Sequence, residues 1–170
     1  MNTAHWHLIL NHIPAFGSMV AFLLLISSYI FKTRSLALAG IIVFIISALL
    51  TIPAFLTGEG SEEILENVVG KNIETTVETH EDAAKTAMII MQATGIFALI
   101  TFIMMMSEKR NTAQYMVVFA TFLTLISFGM MARVATLGGK IRHTEIRNSS
   151  MAPDSAGQLN NEPVETEEEN

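Results

Sequence analysis

Residues 36–56, LALAGIIVFIISALLTIPAFL, run for 21 positions without one charged side chain. A helix of about 20 residues crosses a hydrocarbon core about 30 Å thick, so a stretch of this length and polarity predicts a transmembrane span. Three further apolar runs lie outward from it, at about 8–31, 84–106 and 113–137. The expected fold is therefore an all-α integral membrane protein, a bundle of four transmembrane helices in residues 1–147. Tight connections at 32–35 and 107–112 join the first and last pairs, and a long connection at 58–83 joins the middle pair. Such spacing predicts two helical hairpins. The first run has no Lys or Arg before Lys32 and exceeds the apolar core of a secretory signal, so we read it as a retained helix.

Composition agrees with this reading and removes several functions. The 170 residues are 51% hydrophobic and 15% charged, with a mean hydropathy of +0.44. The net charge of −6 comes from the tail at 148–170, where Asp154, Glu162, Glu165, Glu167, Glu168 and Glu169 meet no base. Residues 1–147 are charge-balanced, and their bases are scattered, so no nucleic-acid surface is expected. The tail is too polar to offset its ordering entropy and is expected to be disordered. The absence of cysteine excludes disulfides, thiolate zinc sites, iron–sulfur clusters and covalently attached haem. Any cofactor must be held by His, carboxylate, Met or backbone.

Sidedness follows from the short turns. Lys32 and Arg34 occupy one, and Lys109 and Arg110 the other, which predicts a cytoplasmic location for both. Both termini then lie on the non-cytoplasmic side of a bacterial inner membrane. In the long connection, Ser61 can cap a short amphipathic helix carrying Ile64, Leu65, Val68 and Val69, with Gly70 as its stop. Thr75 with Glu78 forms a capping-box pattern that starts the third helix ahead of its apolar part. No internal repeat is convincing in the sequence, although the layout of two hairpins is compatible with an old duplication.

All five histidines fall at the end opposite the basic turns: His5, His7 and His12, then His80, then His143. Asn11 and His12 lie inside an apolar run, where polar groups are costly and turn toward a partner or cavity. Pro14 removes the amide that would bond the Leu10 carbonyl, so the helix is expected to open there. His7 and His12 stand about 140° apart on a regular helix and do not share a face. Ile73, Val77, His80, Ala84, Ala87 and Met91 alternate by four and three, which places His80 on an inward stripe. Arg133 is an intramembrane charge that calls for an anion such as Glu59, Glu81 or a cofactor carboxylate. His5 reads as an interfacial residue, and the eleven methionines as apolar filler.

The opening His7-Leu8-Ile9-Leu10-Asn11-His12-Ile13-Pro14, the turn Thr57-Gly58-Glu59 and the close Leu137-Gly138-Gly139-Lys140-Ile141-Arg142-His143 resemble a family of small bacterial membrane proteins, domain of unknown function 2231. The resemblance covers most of residues 5–145. It implies a four-helix membrane unit, and the fusion of some relatives to Rieske-type domains implies redox chemistry near a membrane surface.

Three functions fit these features. The first is a b-type haem protein of membrane electron transfer, exchanging electrons with quinol or a periplasmic redox protein. His12 and His80 are then the preferred axial pair, His7, His143 and Asn11 lie near them, and Arg133 meets a propionate. Gly17, Gly95 and Gly129 would allow close approach of a macrocycle or of a neighbouring helix. The second is a zinc, iron or copper site built from His7, His12, His80 and His143 with Glu59 or Glu81. The third is a structural subunit of a respiratory assembly or a homo-oligomer. No nucleophile–base pair or phosphate loop supports a stand-alone enzyme.

Overall fold

The computed structural model describes residues 3–69, 74–107 and 110–142, with side chains placed for 5–58, 75–107 and 112–140. These residues are all-helical: α1 (Thr3–Leu10), α2 (His12–Ile30), α3 (Arg34–Val69), α4 (Glu74–Met106) and α5 (Arg110–Arg142). Four stretches are long and apolar enough to cross a membrane: His5–Ile30, Arg34–Gly58, Thr75–Met106 and Thr112–Lys140. The tail at 148–170 and His143 lie outside the described residues.

Local chemistry explains where the helices break. The α1/α2 interruption falls at Asn11, whose amide still donates to the His7 carbonyl at 2.9 Å. Pro14, three residues on, has no N–H to offer the Leu10 carbonyl, so one rung of the ladder is missing there. After α2 the chain reverses through Lys32, the only non-glycine with positive φ (51°) among the described residues. The Thr33 amide reaches back to the Ser28 carbonyl at 3.1 Å, which closes the helix end as a Schellman-type cap. The Arg34 guanidinium then donates to the Met105 carbonyl and ties this turn to the end of α4. α3 differs from expectation: it continues unbroken through 61–69, where a separate short amphipathic helix was expected.

The helices pack as a ring in chain order, α2 on α3, α3 on α4, α4 on α5 and α5 on α2, while α1 packs on α3. Their interior is small and hydroxylated. Ser18, Ser28, Ser47, Thr51, Thr94, Thr101, Thr121, Thr124 and Ser127 are buried beside Ala21, Ala48, Ala87, Ala98 and Ala120. Most of the hydroxyls donate back to a carbonyl one turn earlier, as from Ser47 to Val43 and Thr101 to Phe97, both at 2.8 Å. Leu25, Ile41, Phe44 and Met91 fill the space between the helices, while many other large apolar side chains face outward, with Phe31 and Ile89 each 69% exposed. Water would penalise such a surface, whereas small residues at helix contacts and large ones outside suit helices packed in lipid.

The two pairs of helices bury faces of the same period. Pro14, Ser18, Ala21, Leu25 and Ser28 of α2 and Ala87, Met91, Thr94, Ala98 and Thr101 of α4 are buried, as are Ala37, Gly40, Ile41, Phe44, Ser47 and Thr51 of α3 and Val117, Ala120, Thr121, Thr124, Ser127 and Met131 of α5. Steps of three and four residues are what an inward helix face shows. Helix α2 has 19 residues and α4 has 33.

Candidate functional site: a matched pair of imidazoles

Two histidines are seated alike. On α1, His7 Nδ1 lies 3.0 Å from the Ala54 carbonyl oxygen of α3. On α4, His80 Nδ1 lies 3.1 Å from the Val134 carbonyl oxygen of α5. A carbonyl can only accept, so each Nδ1 carries the proton and donates it. This fixes the tautomer and leaves Nε2 as the position that can ligate. No described group hydrogen-bonds to either Nε2.

One turn beyond each accepting carbonyl stands a glycine against the ring. A Cβ built on Gly58 would lie 3.1 Å from His7 Cε1, 3.3 Å from Nδ1 and 3.9 Å from Nε2. A Cβ built on Gly138 would lie 3.1, 3.6 and 3.9 Å from the same atoms of His80. In both seats the Nε2 edge is the more distant one. Each seat thus joins a ring to a backbone carbonyl and to the glycine four residues beyond it. The rings lie within electrostatic range of each other. Ala54, Ala83 and Ala87 are buried in the adjoining layers. The Asn11 side-chain oxygen, four residues along from His7, is buried without a hydrogen-bond partner. Such an orphan costs about 1–3 kcal/mol unless something bound supplies a donor.

The other expected site residues are placed differently. His12 does not turn inward: it is exposed and sits edge-on to Phe16, with ring centroids 6.4 Å apart and planes at 77°. The correction has a simple cause, because the angular step from His7 to His12 allows only one of them to face the bundle. His5 is exposed. Glu81 pairs with Lys85 at 2.6 Å, one turn along α4, and is not directed at Arg133. Arg133 is exposed, and no described residue forms an ion pair with it. The side chain of Glu59 and all of His143 lie outside the described residues. Among the described residues, no group of three or more His, Asp or Glu is arranged to hold a metal ion. Gly17 and Gly95 serve helix contact, against Ser47 and Ala48, and Gly129 has nothing within 4 Å of an added Cβ.

Sequence reasoning did not find the roles of Gly58 and Gly138, or of the Ala54 and Val134 carbonyls. One signal was available: a His and a Gly recur in each half at separations that differ by one heptad. Comparison with protein-family models, curated proteins and solved structures finds no match.

Proposed function

We propose that the protein spans the membrane and carries electrons on a haem b held between His7 and His80. The observation that supports this reading most strongly is the matched pair of rings, each with its Nδ1 proton committed to a backbone carbonyl. Ligating histidines are typically fixed in this way by their other nitrogen. Two inward imidazoles from different helices of a bundle suit the two faces of haem iron. The residues fit the group in one further respect: two glycines make room for the rings. When bound, haem would supply one-electron chemistry. The chain's own groups would bind and orient it: His7 and His80 as ligands, the Ala54 and Val134 carbonyls as holders of the ring protons.

The basic turns support a placement of this site at the non-cytoplasmic face of a bacterial inner membrane, within reach of quinol or a periplasmic redox protein. The resemblance to domain of unknown function 2231 supports the same setting. The test is a hemin titration of the detergent-purified protein with visible spectra in oxidised and dithionite-reduced states, accompanied by metal analysis. The expected result is one hemin per chain, with the two-imidazole spectrum lost in His7→Ala and in His80→Ala but retained in His5→Ala and His12→Ala. Failure of the wild type to bind hemin, or stoichiometric zinc, copper or non-haem iron in its place, overturns the reading.

A further inference from the structure

We propose that Gly58 and Gly138 are matched positioning residues that make His7 and His80 interchangeable ligands, so that one group is closed on both faces and holds no open position for a small molecule. The second part rests on the haem reading above; the first stands on the apoprotein's geometry.

The argument begins with the space beside each ring. A methyl group at either glycine would stand 3.1 Å from the ring's Cε1, closer than carbon atoms normally approach, and its three nearest atoms all belong to that ring. The ring is the movable partner, because the glycines belong to helices held by their own hydrogen bonds. An added methyl therefore tilts the imidazole and disturbs the Nδ1–carbonyl bond rather than unfolding the helix. The neighbouring Gly139 has nothing within 4 Å, so the requirement belongs to position 138 and not to a glycine-rich helix end.

Equivalence supplies the second step. The two seats use the same ring atom, the same carbonyl-to-glycine spacing and the same nearest approach of the glycine to the ring. Rings seated alike on the two halves have equal claim on a metal between them. A centre with one strong and one absent ligand would require the seats to differ. A centre closed on both sides transfers electrons through its edge and does not take carbon monoxide or dioxygen.

The test has two arms. In the haem-free protein, nitrogen-15 NMR of labelled histidine should show His7 and His80 both protonated at Nδ1. Gly58→Ala should move the His7 signals alone, Gly138→Ala the His80 signals alone, and Gly139→Ala neither. Unmoved signals in the first two variants overturn the positioning role whatever the protein does with haem. In the hemin-loaded protein, Gly58→Ala and Gly138→Ala should weaken hemin affinity to similar extents, about 10–100-fold each. Carbon monoxide should leave the reduced wild-type spectrum unchanged and shift that of His7→Ala. A prompt carbon monoxide shift in the wild type overturns the closed centre while the haem reading survives. Absence of hemin binding defeats the haem reading and the closed centre together, and the NMR arm still decides the glycines.

Discussion

Asn11 illustrates how a single residue can work against the stability of its own fold. Its buried oxygen lacks a donor, so Asn11→Leu should stabilise the haem-free protein by about 1–3 kcal/mol. Melting curves of the two proteins in detergent measure the effect, and a fall in melting temperature in Asn11→Leu would mean that the oxygen is satisfied in the folded protein. At this scale the sequence was legible in part. His80 was identifiable as inward because an uninterrupted stripe at four-and-three spacing set its phase. The choice between His7 and His12 was harder. Depth favoured His12, while the angular argument established only that the two must diverge. The partners themselves had no sequence signature, because Ala54 and Val134 contribute backbone oxygen, which every residue possesses.

At the scale of elements, the tight turn after α2 stores a correctable cost. Lys32 adopts a left-handed conformation that penalises a side chain by about 1–2 kcal/mol, so Lys32→Gly should raise the melting temperature. Gly17 makes the opposite case. An added Cβ would fall 1.9 Å from Ser47 Oγ and 2.9 Å from Ser47 Cβ. Gly17→Ala should destabilise the α2–α3 contact by about 1–3 kcal/mol, and a second change, Ser47→Gly, should restore most of the loss. Thermal denaturation of the single and double variants measures the coupling. The spans were legible from length and polarity alone, since lipid leaves a helix no alternative partner for its backbone. The continuation of α3 to Val69 was not. The composition changes at Gly58, which reads as the end of an element, although backbone hydrogen bonds carry the helix through it.

At the scale of the whole molecule, the outward-facing apolar surface and the single tryptophan can be tested together. Trp6 is 47% exposed beside the histidine end. In proteoliposomes its fluorescence should be quenched more by lipids brominated near the headgroup than by lipids brominated at the chain terminus, as befits an interfacial aromatic. The reverse order would place α1 deeper than the site requires. The likeness of the two seats is hidden in the sequence for a physical reason. Each joins a His to a Gly far along the chain through a backbone carbonyl, and no side chain marks that carbonyl.

The ring protons have a consequence for how charge moves. In a ligated imidazole whose Nδ1–H is already donated to a helix carbonyl, no nitrogen is left to accept a proton when the iron gains an electron. Were haem bound as proposed, His7 and His80 would then take up no proton on reduction, and any change of midpoint potential with pH would have to come from other groups such as the propionates. A proton released by the electron donor would have to leave by another route.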